Sequence, residues 1–396
     1  MRNLGIALRA LGLFRQLRED PVIRALCRYL DCRSGEVAEA VEAYGDFAAC
    51  LYDTGAPSLA DYVRDIVADD ENAYIRMVGR GQIPPAQMGQ ALEQELEIFQ
   101  QVADLTPETL RQGLNWEGYL PGFQTGKVDL AGYYADRCAN IMRYGYGIYA
   151  RYRMFYMDEQ GKIVPVRHPD RTRLSMLVDY EREQKIILDN TLALLEGKPA
   201  ANILLSGDAG TGKSSTVKAV VNELHQQGLR ILEVRKEQLH RIPGVLDELS
   251  GNPLKFILFI DDLSFQKDDD DFSAMKAILE GSVSARAGNV VIYATSNRRH
   301  LVKETFSDRD GDDVHRNDTM QEIISLSERF GIQITFQKPN KQTYLDIVAH
   351  LAREHGITMD RQELELQAER FALGRGGRSA RAARQFVDGL IARGST

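Results

Sequence analysis

The most informative part of the sequence is a glycine-rich segment at residues 207–215 with the composition of a phosphate-binding loop. Apolar residues before it predict a β-strand, and the residues after it predict a helix. In such a loop, successive backbone N–H groups and the positive end of the helix dipole point at phosphate oxygens. We expect Lys213 to reach the terminal phosphates of a nucleotide and Ser214 to bind Mg²⁺. The predicted phosphate-binding residues are Gly207, Asp208, Ala209, Gly210, Thr211, Gly212, Lys213, Ser214 and Ser215.

Two acidic residues, Asp261 and Asp262, directly follow a second apolar stretch at 256–260. If that stretch is a strand beside the phosphate loop, Asp261 can hold Mg²⁺ through water and Asp262 can orient or deprotonate the attacking water. Asn297 follows a further apolar stretch and is placed to bond the terminal phosphate or the water. The acidic run at 268–271 is better explained as solvated surface than as a second metal site.

Short apolar stretches alternate with helical patterns after residue 202, which is typical of a parallel sheet with helices on both faces. After Pro339 only helical patterns occur. The predicted fold class is therefore α/β, with a P-loop, a five-stranded parallel sheet and a C-terminal helical lid, preceded by a mostly helical N-terminal domain. The predicted strands are 203–206, 230–234, 256–260, 290–295 and 332–336, and the predicted lid helices are 341–355, 361–373 and 379–392.

Changes of pattern along the chain predict the domain boundaries. Residues 1–152 have helical periodicity, with Ser58 and the Thr106-Pro107 pair as helix starts. Two short apolar stretches around a Gly161 turn predict a hairpin, which a linker follows. The charged segment 306–317 has too little apolar surface to be ordered and predicts a mobile loop. The expected parts are the helical domain 1–152, hairpin and linker 153–173, α/β domain 174–338 and lid 339–396.

The order of these motifs resembles that of the AAA+ ATPases over residues 174–392. The runs at 207–215, 259–265, 292–300 and 324–331 look like one branch in particular, an uncharacterised bacterial family of predicted AAA+ ATPases known as a domain of unknown function. The resemblance implies ATP and Mg²⁺ as cofactors. It makes Lys213 the Walker A lysine, and it makes Ser214 and Asp261 the residues that hold the metal.

The resemblance also implies roles for residues outside the phosphate loop. Asp262 matches the second Walker B acid, and Asn297 matches the first sensor. Arg329 matches the arginine finger that a neighbouring subunit inserts against the terminal phosphate, which implies a homo-oligomer. Arg381 is the best match to the second sensor, and Arg378 is the alternative.

The sequence departs from the usual AAA+ pattern at three places. Most members carry Glu at the position of Asp262, so slow turnover or a switch-like role stays open. The segment 177–181, which should lie against the adenine, has Asp179 where glycine is usual. The turn at 234–240 lacks the aromatic-glycine pair with which threading unfoldases grip peptides, and this makes protein unfolding through a central pore less favoured.

Tyrosines and arginines interleave between residues 133 and 156, a composition that would suit stacking on bases and pairing with phosphates. Helices that pack against a core also bury tyrosines and leave arginines at their rim. The formal net charge of −8 and the pI near 5.5 give no global attraction to nucleic acid or to an anionic membrane. A structural or partner-binding role is therefore favoured over nucleic-acid binding for this segment.

The remaining composition fits a cytoplasmic protein. Cys27, Cys32, Cys50 and Cys138 lack the spacing of metal ligands and are expected to be reduced and mostly buried. No stretch approaches the length of a membrane span, so no membrane association is expected.

Three functions agree with the sequence. The favoured one is an oligomeric ATPase that remodels or loads a macromolecular partner, protein or nucleic acid, held by the helical N-terminal region. The alternative is a nucleotide-gated scaffold, similar to helicase loaders or transposition helpers, that turns ATP over very little. A P-loop kinase acting on a small molecule is disfavoured because the chain ends in a helical domain with arginines and shows no acceptor site.

Overall fold

The chain divides into two units, Met1–Arg151 and Tyr152–Thr396. The computed structural model describes residues 2–32, 36–112, 114–264, 270–280, 288–297, 326 and 328–394. The predicted loop at 306–317 and the start of the acidic run at 268–271 lie outside these residues. No described helix is long and apolar enough to cross a membrane. The four cysteines are partly buried free thiols.

The described part of the first unit is helical. Ser58 and Thr106 begin helices as predicted, because the side chain of each accepts a hydrogen bond from a backbone N–H in the first turn. Fully buried aromatic side chains fill the core, among them Phe14, Tyr29, Tyr44, Phe47 and Phe99. The helices are α1 (Arg2–Arg9), α2 (Pro21–Cys32), α3 (Val37–Asp53), α4 (Leu59–Asp69), α5 (Ala73–Gly79), α6 (Ala86–Ala103), α7 (Pro107–Arg111), α8 (Leu130–Ala139), α9 (Ile141–Tyr144) and α10 (Ile148–Arg151).

The segment rich in tyrosine and arginine contributes to the packing of this unit. Tyr134, Tyr146 and Tyr149 are buried. The guanidinium of Arg137 is buried too, and it lies 5.2 Å from the ring centroid of Tyr144. Such a cation–π contact stabilises the packing of this unit. The packing favours the structural explanation for these residues.

The second unit contains a seven-stranded sheet in the order β2-β1-β4-β5-β6-β3-β7. All neighbouring strands are parallel except β1 and β2, which form an antiparallel hairpin. The strands are β1 (Met154–Met157), β2 (Ile163–Pro165), β3 (Ile203–Gly207), β4 (Leu229–Val234), β5 (Lys255–Ile260), β6 (Val290–Ser296) and β7 (Ile332–Phe336). The helices are α11 (Glu181–Leu195), α12 (Lys213–Leu224), α13 (Ile242–Ser250), α14 (Asp270–Glu280), α15 (Lys341–Glu354), α16 (Arg361–Gly374) and α17 (Ala380–Ala392).

The fold class predicted from the sequence is confirmed, with one difference in the sheet. The hairpin extends the five predicted parallel strands to seven, because β1 pairs in parallel with β4 from Met154 to Tyr156. An unpaired edge of β4 would expose backbone N–H and C=O groups, and β1 satisfies them. Met154, Phe155 and Met157 are also buried, so the hairpin adds apolar surface to the core of this unit.

The strand order positions the predicted site. Strand β3 lies between β6 and β7, and β5 lies on the other side of β6. The carboxyl ends of β5, β6 and β3 therefore meet at one edge of the sheet, where open α/β folds bind their ligands. The three lid helices, which begin and end close to the predicted residues, pack against one another around Tyr344, Val348 and Phe386.

Candidate nucleotide-binding site

The carboxyl ends of β3, β5 and β6 and the lid enclose a cavity of about 580 Å³. Its wall brings together predicted residues from four elements. The predicted residues that line it are Ala209, Gly210, Thr211, Gly212, Lys213, Ser214, Ser215, Asp261, Asp262, Asn297 and Arg381. Gly207 and Asp208 do not line the cavity themselves, although their carbonyl oxygens accept hydrogen bonds from Lys213.

The phosphate loop has the shape that its glycines predict. Gly207 has φ +136°, and a Cβ at this position would lie 2.0 Å from the carbonyl oxygen of Phe336 on β7. A side chain is therefore excluded both by the backbone conformation and by the close approach of β7. At Gly210, the carbonyl oxygen accepts a hydrogen bond from the N–H of Arg381 over 3.2 Å. That bond ties the loop to the first turn of α17.

The Lys213 side chain runs back along the phosphate loop and is 5% exposed. Its Nζ donates to the carbonyl oxygens of Gly207 and Asp208, both over 2.8 Å, and to Oδ1 of Asn297 over 3.2 Å. Burial lowers the pKa of Lys213, and the carboxylates of the cavity, Asp261 first, act in the opposite direction. The ammonium is thus held at the junction of β3 and β6, where it can exchange these acceptors for phosphate oxygens.

Asp261 and Asp262 lie in a turn that is tied to the phosphate loop and to β6. Oδ1 of Asp261 accepts from the Ser214 hydroxyl over 2.7 Å and from the Thr295 hydroxyl over 2.5 Å. Asp262 has φ +56°, in the left-handed region that non-glycine residues rarely adopt, and its N–H donates to Thr295 Oγ1 over 2.9 Å. Its Oδ1 accepts from Nδ2 of Asn297 over 2.7 Å.

Thr295 is a site residue that the sequence analysis did not single out. It is 2% exposed and lines the cavity. A polar residue at the end of an otherwise apolar strand was the available signal, since β6 ends in Ala-Thr-Ser. Strands often end in such residues, however, so the pattern alone could not separate a contact to the acids from an ordinary strand end.

The residues present fit a magnesium ion bound together with a phosphate. Mg²⁺ prefers oxygen ligands and keeps several waters, so proteins hold it with one or two side chains plus phosphate oxygens. The Ser214 hydroxyl and the Asp261 carboxylate are such a pair and touch each other in the cavity. Among the described residues, no group of three or more His, Cys, Asp or Glu side chains could hold a metal by itself.

Apolar side chains from the segment before α11 and from the lid also line the cavity. Leu177, Val178 and Tyr180 line it together with lid residues. Asp179 and Tyr180 have φ values of +75° and +69°, in the left-handed region that residues with a Cβ rarely adopt. The side-chain amide of Gln184 donates to the carbonyl oxygens of Leu177 and Asp179, over 3.2 and 3.0 Å, and holds this strained segment in place.

The two candidate lid arginines have different surroundings. Arg381 lines the cavity, and its Cβ lies close to Gly210 of the phosphate loop. Arg378 instead donates from Nε and Nη2 to the two carboxylate oxygens of Glu369, both over 2.8 Å. This bidentate pair raises the pKa of Arg378 and lowers that of Glu369. The geometry therefore places Arg381 at the cavity and gives Arg378 a contact within the lid.

The part of the chain that matches a known family coincides closely with the second unit. The sequence profile of the family described as "Protein of unknown function (DUF815)" matches residues 150–394. The chain belongs to the DUF815 family. The family resemblance predicted from the sequence is confirmed by this match, which covers the second unit and leaves nearly all of the first unit outside it. No curated protein matches the chain.

Solved structures similar to this DUF815 protein include several of low sequence identity. The Holliday junction branch migration motor RuvB of Thermotoga maritima is 16% identical, with 57% of this chain and 67% of that chain covered and a TM-score of 0.38. PCH-2 of C. elegans is 17% identical, with 54% and 63% covered and a TM-score of 0.38. The ORC1 protein of Aeropyrum pernix, in complex with DNA, is 16% identical, with 56% and 62% covered and a TM-score of 0.39.

Arg329 is the one predicted catalytic residue that does not line the cavity of its own chain. It lies three residues before the strand β7, and its side chain is partly buried. An arginine finger acts on the site of a neighbouring subunit and need not reach the cavity of its own subunit. The position of Arg329 in this DUF815 protein therefore does not test its predicted role as a finger.

Proposed function

We propose that the protein binds ATP and Mg²⁺ in the cavity between the phosphate loop and the lid and hydrolyses the terminal phosphate bond. The observation that carries the proposal is the hydrogen bond between Ser214 Oγ and Asp261 Oδ1, which joins the phosphate loop to the acidic turn. A bound magnesium ion would neutralise charge on the phosphates at this point. Lys213 would bind the terminal phosphate, and Asp262 and Asn297 would orient the attacking water.

The proposed enzyme is a homo-oligomer whose sites are completed by a neighbouring subunit. Arg329 lies three residues before β7 and does not line the cavity of its own chain, so we assign it to the site of the adjacent subunit. There it would stabilise the charge that develops on the transferred phosphoryl group. The helical first unit, most of which lies outside the family match, would hold the macromolecular partner that nucleotide turnover remodels or loads.

Phosphate release by the purified full chain tests the ATPase proposal. We expect Mg²⁺-dependent release whose specific rate rises with protein concentration, because dilution separates the subunits. Lys213→Ala is expected to abolish it, since the ammonium at the phosphate end of the cavity is lost. Arg329→Ala is expected to retain ATP binding and to lose hydrolysis by a factor on the order of 10³. A full chain that binds no adenine nucleotide with Mg²⁺ would contradict the proposal.

Mixing the two inactive variants tests the neighbouring-subunit role of Arg329. In a mixed oligomer, an Arg329→Ala subunit supplies an intact cavity and a Lys213→Ala subunit supplies an intact finger. The mixture is therefore expected to regain a substantial part of the activity that each variant lacks alone. If the mixture stays inactive while co-purification shows that the variants assemble together, Arg329 does not act across the interface.

A nucleotide-gated scaffold is the second candidate, and the conformation of Asp262 favours it. The residue is shorter than the glutamate usual at this position, and its Oδ1 already accepts a hydrogen bond from Asn297. A carboxylate held back in this way would activate water poorly. Single-turnover assays separate the two functions: the ATPase releases phosphate from bound ATP within the turnover time, whereas the scaffold keeps ATP intact.

A further inference from the structure

We propose that Thr295 is the positioning residue that sets the geometry of both acids for magnesium binding and hydrolysis. This inference rests on the proposed ATPase function and adds a residue that neither the sequence motifs nor the comparisons assign. Thr295 touches Asp261 and Asp262 and not the reacting atoms, so its effect on the reaction passes through them.

Three hydrogen bonds fix the acidic turn on Thr295. Its hydroxyl donates to Oδ1 of Asp261 over 2.5 Å and accepts from the N–H of Asp262 over 2.9 Å. Its carbonyl oxygen accepts from the N–H of Leu263 over 2.7 Å. One residue of β6 thus holds three consecutive residues that follow β5. The Thr295 hydroxyl acts as a donor and as an acceptor at the same time. Apolar side chains of similar size, such as that of valine, have no hydroxyl and can do neither.

The backbone of Asp262 shows why the turn needs such support. Its φ of +56° lies in the left-handed region, which is unfavourable for a residue with a Cβ. The hydrogen bond from the Asp262 N–H to Thr295 offsets this strain, and it orients the carboxylate toward Nδ2 of Asn297. Without the hydroxyl, the turn is free to relax to a negative φ, and the Asp262 carboxylate would leave its position.

The burial of Thr295 makes the arrangement difficult to replace. The residue is 2% exposed, so water has little access to substitute for its hydroxyl. Thr295→Val keeps the shape of the side chain but leaves the Asp262 N–H without its acceptor. Among the described residues, Asp261 would retain only the hydroxyl of Ser214 as a donor to Oδ1. Since Ser214 is itself expected to bind Mg²⁺, the carboxylate would then have no fixed partner when the metal is bound.

The test compares Thr295→Val and Thr295→Ser with the unaltered full chain. We measure ATP affinity in EDTA, the Mg²⁺ concentration for half-maximal phosphate release at saturating ATP, and kcat. Thr295→Val is expected to bind ATP in EDTA within about threefold of the unaltered chain, to need on the order of tenfold more Mg²⁺ and to lose kcat about 100-fold. Thr295→Ser retains the hydroxyl and is expected to restore both Mg²⁺ dependence and kcat.

Thr191→Val provides a matched control, because Thr191 is also a fully buried threonine of this unit with a bonded hydroxyl. It is expected to lower the melting temperature without changing the Mg²⁺ dependence. If Thr295→Val does not fold, Thr295→Ala and Thr295→Ser carry the same comparison. If a folded Thr295 variant without the hydroxyl shows normal Mg²⁺ dependence and normal kcat, the role of Thr295 is wrong. The proposed ATPase function is unaffected by that result. Absence of phosphate release from the unaltered chain overturns the role of Thr295 together with the proposed function.

Discussion

Asn297 donates a hydrogen bond from Nδ2 to Oδ1 of Asp262 over 2.7 Å, while its Oδ1 accepts from Lys213 Nζ over 3.2 Å. The amide can satisfy both groups in one orientation only, because an ammonium has no acceptor and a carboxylate has no donor. Asn297 therefore links the lysine at the phosphate end of the cavity to the acid expected to act on water. Asp262 and Asn297 follow the ends of β5 and β6, and Lys213 begins the helix after β3, so the strand order β5-β6-β3 brings the three residues together.

The first prediction concerns Asn297→Ala. Loss of the amide removes the contacts to Lys213 and Asp262 but leaves the phosphate loop intact. We expect kcat for ATP hydrolysis to fall about 10- to 100-fold with a change in ATP affinity below about threefold. Steady-state phosphate release and nucleotide titration measure the two effects separately. A variant that loses affinity and keeps kcat would show that Asn297 serves binding instead.

The second prediction separates Arg381 from Arg378. Arg381→Ala is expected to weaken ATP binding about tenfold, because a cation leaves the wall of the cavity. Arg378→Ala removes the ion pair with Glu369 and is expected to lower the melting temperature while ATP affinity is kept. Nucleotide titration and thermal unfolding of both variants give the answer. The reverse pattern would assign the second-sensor role to Arg378.

The third prediction uses two glycines of the second unit. Gly207→Ala places a Cβ against the carbonyl oxygen of Phe336, and it demands a φ that alanine avoids. We expect it to destabilise the protein by at least about 2 kcal/mol and to weaken nucleotide binding. Gly244→Ala is the control, because its Cβ would meet no atom and Gly244 lies in α13. It is expected to be neutral or stabilising by roughly 0.5 kcal/mol.

The fourth prediction concerns the pH dependence of the first unit. Burial raises the pKa of Asp70 to about 6, and its Oδ2 has no hydrogen-bond partner among the described residues. Because the folded-state pKa lies above the unfolded value, the carboxyl contributes stability at low pH that is lost as the pH rises through about 6. Asp70→Asn removes that loss and is expected to raise the free energy of unfolding at pH 7.5 by on the order of 1 kcal/mol.

Urea unfolding followed by tryptophan fluorescence measures this effect, since the only tryptophan, Trp116, lies in the first unit. Asp53→Asn serves as the control at the exposed end of α3, and it is expected to change the free energy of unfolding at pH 7.5 by less than about 0.5 kcal/mol. The explanation fails if Asp70→Asn is less stable than the unaltered protein at pH 7.5.

The sequence predicted the parts of the site that depend on local pattern. The phosphate loop, the strand ends with Asp261 and Asn297, and the lid helices were found because short-range spacing specifies them. The contacts of Thr295 could not be found in this way, since they depend on which strands are neighbours in the sheet. The pairing of β1 with β4 was missed for the same reason: a hairpin pattern predicts its own two strands but not the partner of its outer edge.

The choice between Arg381 and Arg378 shows the same limit. Both arginines lie near the start of α17, and only the ion pair of Arg378 with Glu369 on α16 separates them. Packing between helices that are distant in sequence supplies this information. Spacing within one helix does not.

The edge strand β2 also affects how the protein behaves at high concentration. This strand is three residues long and ends at Pro165, which has no backbone N–H to offer to another strand. Any chain that approached along this side would find too few free groups for a ladder. The hairpin therefore protects this border of the sheet against uncontrolled fibre-like growth.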